Sequence, residues 1–333
     1  MTELRLALLG LGNVGRAFSD YITRAEDDIA RRIRIYGVAD ATGGLLSDDP
    51  SRIKHAVEQK AAGLSIRDFA PDDAMANDDF IRRLSDFGIS ILVESLPTNL
   101  TDGQPAMDLI RAALTEGINV VTVDKGPLAH GFDLLQEAAR ENGSQIAFTG
   151  TTGVRPPDGI ANERVLEIRG VLNGTTNYIL TEMHERGISF GDALAVAQGD
   201  GIAEPDPRLD IEGWDTAAKI LILAKDLMRA SACITDVSRI GIGAETESLI
   251  EAARARGCIV RLIGRARVWQ GRVRVSVAPK LIDPASIFYS VRGTSKAAVF
   301  RTESRGELVG VGLSGRDQIA GVILDDIIRL RAK

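Results

Sequence analysis

Leu4-Arg5-Leu6-Ala7-Leu8-Leu9-Gly10-Leu11-Gly12-Asn13-Val14-Gly15-Arg16 decides the fold of the first half of this chain. A short apolar run ends at once in G-x-G-x-x-G, and a helical stretch to about Arg24 follows. Strand, glycine turn and helix together are the context in which this glycine pattern carries meaning. Gly10 permits the tight turn, Gly12 lets backbone approach a pyrophosphate, and Gly15 lets helix pack on strand. Free N–H groups and the positive dipole end at the helix start, beside Asn13 and Val14, suit phosphate.

Working outward, a second strand runs from Ile33 to Ala39 and closes on Asp40. An acid there can accept from ribose hydroxyls and would repel a 2′-phosphate, so the expected cofactor is NAD or NADP with NAD favoured. Further units alternate: helix Phe80 to Phe87, strand Ile89 to Val93, helix Ala106 to Glu116, strand Asn119 to Val123, helix Phe132 to Asn142, strand Gln145 to Phe148. Alternation of this kind implies a parallel sheet, and ligands bind beyond the carboxyl ends of its strands. The Gly10 turn, Asp40, the Ser95–Asn99 loop with Leu96, Pro97 and Thr98, and Lys125 all fall at such ends.

In the second half, strand Leu166 to Val171 runs into Leu172-Asn173-Gly174-Thr175-Thr176-Asn177-Tyr178. That run offers many donors to a polar ligand, and Thr175 or Thr176 is equally suited to cap a helix. Glu204, Asp206, Asp210, Glu212 and Asp215 then crowd twelve residues before the apolar stretch Ile220 to Ala224. Asp215 and Lys219, four apart, share a helix face. A surface salt bridge explains that pair alone; the acidic, proline-broken preamble points instead to a polar pocket at a buried helix start. Val260 to Val277 reads as sheet, and Gln318 to Leu330 as a helix.

Composition bounds the function. The chain has 333 residues, enough for two domains, and a net charge of −6, which disfavours nucleic acid. Arg254, Arg256, Arg261, Arg265 and Arg267 read as a solvated face. Two cysteines, Cys233 and Cys258, make a disulfide framework unlikely and fit a reducing compartment; neither has a nucleophile's context, so thioester chemistry is disfavoured. No apolar run reaches the ~18 residues of a membrane span, and Met1 to Leu9 lacks the layout of a signal peptide. A cytoplasmic protein is expected. His55, His130 and His184 sit in no motif and read as structural or surface residues.

On Gly10 to Gly15, Pro97-Thr98-Asn99 with Gly103 and Pro105, Val120-Val121-Thr122 with Lys125-Gly126-Pro127, Gly170 to Leu180 and Glu204 through Lys219, the chain resembles homoserine dehydrogenase over nearly its whole length. The resemblance implies an α/β Rossmann-type parallel-sheet domain, residues 1–129 completed by 306–333, and an α+β substrate and dimerisation domain, 130–305. It implies interconversion of L-aspartate 4-semialdehyde and L-homoserine with NAD(P)H, and a homodimer of the short form without a regulatory domain. It implies that Lys125 and Lys219 flank the reacting carbonyl, Lys219 giving the proton. Glu204 and Asp215 hold the ammonium and hydroxyl end, with Asp210 in the same pocket. Thr175 and Thr176 lie near substrate and nicotinamide, and Gly315, after Gly310-Val311-Gly312-Leu313-Ser314, touches the cofactor.

Several positions depart from the family pattern. Asp124 replaces the usual Asn before the lysine. Thr152-Gly153-Val154-Arg155-Pro156-Pro157 replaces a glycine pair and proline. Phe148 takes the place of a cation-binding glutamate, so no metal is expected; Ile202 and Ile319 replace an aromatic residue and a threonine. Arg155 is expected to contact an anionic substrate group. These changes keep two alternatives open: a paralogous dehydrogenase for another short hydroxy acid or amino alcohol, and a non-catalytic nucleotide sensor.

Overall fold

The computed structural model describes residues 3–24, 30–313 and 315–331, so Met1, Thr2 and Ser314, quoted above, lie outside them. The chain forms two compact units, one of residues 1–151 with 315–333 and one of residues 152–314. The boundary expected at 129 falls inside a helix. The helix and the strand after it belong to the first unit, because that strand completes the first sheet.

The first sheet has six strands: β1 (Leu4–Leu9), β2 (Ile33–Asp40), β3 (Gly43–Leu46), β4 (Ile91–Glu94), β5 (Asn119–Thr122) and β6 (Ile146–Ala147). They are ordered β3-β2-β1-β4-β5-β6, all parallel except the β2–β3 pair. The crossovers carry α1 (Asn13–Arg24), α2 (Pro50–Ala61), α3 (Ile66–Phe69), α4 (Asn77–Arg82), α5 (Ala106–Thr115) and α6 (Lys125–Glu141). Leu6 and Leu8 of β1, Phe18 of α1, Ile53 of α2 and Ile323 and Ile327 of the C-terminal helix share one buried core. A strand buried on both faces reads as a continuous apolar run, and β1 does from Leu6 to Leu9, with Arg5 part-exposed at its start.

Three elements differ from their expected form. The helix expected from Phe80 to Phe87 is α4 followed by a single 3₁₀ turn, Ser85–Phe87. The β3 hairpin had no sequence signal, since Gly43-Gly44 reads as loop. Its glycines have a packing reason: a Cβ on Gly44 would fall 2.5 Å from the Phe80 ring, and one on Gly37 3.1 Å from it, so the ring lies flat on strand backbone. The helix expected from Phe132 starts seven residues earlier, at Lys125, and continues through a kink at Gly131 (φ −118°, ψ 24°).

The second unit holds a seven-stranded sheet, ordered β7-β13-β12-β8-β10-β11-β9. Its strands are β7 (Val154–Arg155), β8 (Val165–Val171), β9 (Ser238–Arg239), β10 (Ile259–Trp269), β11 (Arg272–Ile282), β12 (Ala297–Thr302) and β13 (Gly306–Gly312). It also holds α7 (Gly174–Arg186), α8 (Phe190–Gly199), α9 (Arg208–Ile211), α10 (Trp214–Met228) and α11 (Thr246–Arg254). The apolar helix α10 packs on β8, β10 and β11, and Gly264 of β10 gives Thr216 and Ile220 room to approach. The last helix, α12 (Arg316–Arg331), belongs to the first unit and packs on α1.

The arginine cluster is not one solvated face. Arg261 is 1% exposed, donating to the carbonyls of Val291 and Val260, while Arg265 pairs with Glu167 and Arg254 donates to the α7 carbonyls of Met183 and His184. Arg261, Arg265 and Arg267 share one face of β10 but lie at different depths along it, while Arg254 belongs to α11.

Candidate active site

In the first unit the glycine turn has the geometry its sequence predicts. Gly10 takes φ +102°, and a Cβ there would meet Ser95 backbone at 2.6 Å. A Cβ on Gly15 would stand 2.1 Å from the Gly10 carbonyl, so α1 is pressed onto the turn. Gly12 is the opposite case: its Cβ would meet no atom within 4 Å. With no acid in the first turn of α1, the space above Gly12 faces an unneutralised helix N-terminus. Backbone N–H groups and open room suit the pyrophosphate of a dinucleotide, so the residues present fit the nicotinamide cofactor.

Asp40 stands at the end of β2, yet it does not face outward. It is 4% exposed; Oδ1 accepts from Thr42 N and Oγ1, and Oδ2 accepts from Lys60 Nζ at 2.6 Å and from Ile66 N. Burial pushes this carboxyl up, but the Lys60, Thr42 and Ile66 hydrogen bonds outweigh it and hold the pKa below the ordinary value. Its charge is paired with Lys60, and its oxygens are engaged by Thr42 and Ile66 as well.

At the ends of β4 and β5 the chain places two buried carboxyls. Asp124 caps α6, its Oδ1 accepting from Gly126 N at 2.9 Å, so Lys125 is the first residue of that helix. Thr98 also donates to Asp124. Glu94, fully buried, accepts from Thr122 Oγ1 at 2.5 Å and from Leu96 N at 2.6 Å. Burial first, then the Asp124 charge, push Glu94 up to about 8 against those two hydrogen bonds. Burial also raises Asp124, opposed by Gly126, Thr98 and Lys125. Asp124 has the helix start and Lys125 to favour its charge, so Glu94 is the member that keeps the proton. Loop 96–103 lies against this corner: a Cβ on Gly126 would come within 2.4 Å of the Asn99 carbonyl.

In the second unit the polar run after β8 forms a bonded network. Asn173, not Thr175 or Thr176, is the N-cap of α7; its Oδ1 accepts from Thr176 N at 2.8 Å. Its amide donates to Asp210 Oδ1 at 2.6 Å and to Asp215 Oδ2 at 2.8 Å. The cap correction has a simple cause: Asn173, Thr175 and Thr176 can all cap, and only the strand end decides which is in place. Lys219 Nζ donates to Asp215 Oδ2 at 2.7 Å and to the Leu172 carbonyl at 3.0 Å. The Thr175 hydroxyl reaches both Asp210 and the Ile202 carbonyl, its single proton serving one acceptor at a time. Burial and then the Asp215 charge raise the Asp210 pKa, against hydrogen bonds from Thr175 and Asn173 and the charge of Lys219.

The structure thus brings Asp210, Asp215, Lys219, Thr175 and Thr176 together around Asn173. Glu204 is exposed on the loop before α9, and the contact made there is by its carbonyl, to Gln198 Nε2. Gly315 takes φ +86° just before α12, in the first unit. Arg155 lies in β7, paired with Val311 of β13. Asn173, Glu94 and Lys296 were not singled out by the sequence. Asn173 lay inside the quoted run; Glu94 closes a strand read as purely apolar. Lys296 sits in a loop without a motif, yet its Nζ and that of Lys219 come within 3.5 and 3.6 Å of where a Cβ on Gly153 would fall.

Residues 10–149 match the family model of the homoserine dehydrogenase NAD-binding domain, and residues 157–328 match that of homoserine dehydrogenase. A homoserine dehydrogenase of Methanocaldococcus jannaschii is 33% identical over 98% of each chain. The chain belongs to the homoserine dehydrogenase family. It is a nicotinamide-dependent oxidoreductase of that kind, interconverting L-aspartate 4-semialdehyde and L-homoserine. An NAD(+)-dependent homoserine dehydrogenase of Pseudomonas canavaninivorans is also 33% identical, over 99% of this chain and 97% of that one. The crystal structure of a homoserine dehydrogenase from Thiobacillus denitrificans superposes with TM-score 0.82 at 26% identity, covering 99% of this chain and 73% of that one. No helix among the described residues is long and apolar enough to cross a membrane.

Proposed function

We propose that Lys219 is the proton donor of this homoserine dehydrogenase, and that Asp210 and Asp215 hold the substrate ammonium. The observation that carries the reading is the Lys219 ammonium, fixed by two acceptors in a half-buried pocket beside both acids. The bound nicotinamide supplies the hydride in reduction and takes it in oxidation. As the aldehyde carbon gains that hydride, the carbonyl electron pair moves to oxygen. Lys219 stabilises the growing charge and then transfers its proton, left neutral until solvent restores it; oxidation reverses the transfer. Two of the three Lys219 protons are committed to Asp215 and Leu172, which aims the third.

The remaining roles are those that the sequence resemblance implies. Thr175 and Thr176 line the substrate end. Lys125 contributes the second catalytic lysine, and Glu204 a third acid. Gly10, Gly12, Asn13, Val14, Gly15, Leu96, Pro97, Thr98 and Gly315 bind the dinucleotide. The first unit serves the cofactor and the second the substrate. We place the working enzyme in the cytoplasm as a homodimer, which light scattering should report as twice the chain mass.

Lys219→Ala tests the central assignment. Loss of a positioned general acid should lower kcat roughly a hundredfold to ten-thousandfold, while NADH binding, followed by its fluorescence, stays intact. Turnover within a few-fold of the parent enzyme would remove Lys219 from the role.

A further inference from the structure

Asp210 and Asp215 supply negative charge, yet the substrate is a zwitterion. An amino acid bound through its ammonium also brings a carboxylate, and burying that group without a partner is costly. Lys219 is committed to Asp215, to the Leu172 carbonyl and to the reacting oxygen. The Lys296 ammonium approaches Gly153 beside that of Lys219.

Lys296 directly precedes β12. Ala297 pairs with Val171 at the end of β8 and with Val311 of β13, so Lys296 falls at the strand ends from which Leu172 and Asn173 emerge. Its backbone is tied there by the neighbouring loop: Asn177 Nδ2 donates to the carbonyls of Val291, Gly293 and Ser295, and Gly293 N donates to Thr181 Oγ1. β13 lies between β12 and β7, so the side chain must pass Gly312 to reach Gly153. A Cβ on Gly312 would stand 2.2 Å from the Lys296 carbonyl oxygen and 2.7 Å from the Lys296 Cβ, so only glycine leaves the path clear. At the far end both lysine ammonium groups lie within ordinary contact distance of Gly153, whose φ of +68° is what calls for glycine.

We propose that Lys296 binds the α-carboxylate of the amino-acid substrate and selects amino acids over the corresponding amino alcohols. The inference rests on the reading of Asp210, Asp215 and Lys219 as the substrate pocket. It assigns this role to Lys296 because its ammonium and that of Lys219 both approach Gly153.

The test compares L-homoserine with 3-aminopropan-1-ol, which keeps the ammonium and hydroxyl but has no carboxylate. Lys296→Met should raise KM for homoserine about tenfold to a hundredfold, the weight of a charge-assisted hydrogen bond, with kcat changed far less. The preference for homoserine over the amino alcohol should fall by the same factor, and Lys296→Arg should recover part of it. Thermal melting and NADH fluorescence of each variant report folding independently. If Lys296→Met slows both substrates equally, or neither, carboxylate recognition by Lys296 is overturned while the homoserine reading stands. If the parent enzyme itself does not turn over homoserine, that reading fails and takes this inference with it.

Discussion

Glu94 has no exposed surface, yet it is a carboxyl, and its surroundings make stability depend on pH. With a folded pKa of about 8 against an ordinary value of 4.5, the folded chain keeps a proton that the unfolded chain has released. Between those values the folded state binds more protons, so stability falls as pH rises; the contribution is fully present below 4.5 and lost through about 8. Melting temperature should therefore drop across that window, and Glu94→Gln, which mimics the protonated acid and cannot ionise, should flatten the drop. Parallel curves for parent and variant would assign the pH dependence to another group. Asn173 makes a second residue-scale prediction. Asn173→Ala removes the α7 cap, at roughly 0.5–2 kcal/mol, and an amide that donates to both Asp210 and Asp215. Denaturant melts should show the stability loss and steady-state kinetics a raised homoserine KM. A variant that lost stability with KM unmoved would make Asn173 a cap and nothing more. Asp215 and Lys219 were legible as a pair because i,i+4 spacing fixes them on one helix. Lys296 was not, because only the pairing of β12 with β8 brings it near them.

At the scale of elements, β1, the glycine turn and α1 were readable because each residue type is demanded by local backbone. That claim separates two neighbouring substitutions. Gly15→Ala puts a methyl 2.1 Å from the Gly10 carbonyl and should lower the melting temperature and the yield of folded protein. Gly12→Ala meets nothing in the protein and should fold normally while weakening NADH binding. Equal loss of stability in both would mean that Gly12 serves packing rather than the cofactor. The elements that escaped sequence reading did so for tertiary reasons. Gly43-Gly44 is strand because it pairs with Asp40 and Ala39 while Phe80 packs over Gly44, and α6 begins at Lys125 because Asp124 caps it and the chain bends at Gly131 without leaving the helix. Asp124, which departs from the family pattern, still does the capping work of an asparagine. Asp40 was located correctly at the end of β2, but no periodicity could announce that Lys60, Thr42 and Ile66 occupy its oxygens.

For the whole molecule, the alternation of strands and helices gave the first unit, and the second was legible mainly through its motifs and the family match. The division into units falls later than the sequence suggested, since β6 hydrogen-bonds to β5 and so belongs to the cofactor sheet. Asp40 stands at the end of β2 with its charge paired to Lys60, and both nicotinamide cofactors belong in any assay. The most direct measurement is consumption of NADH and NADPH with L-aspartate 4-semialdehyde, run alongside L-homoserine oxidation in reverse. The account predicts brisk turnover in both directions with at least one cofactor. Clear binding of NADH without turnover of either substrate would contradict it.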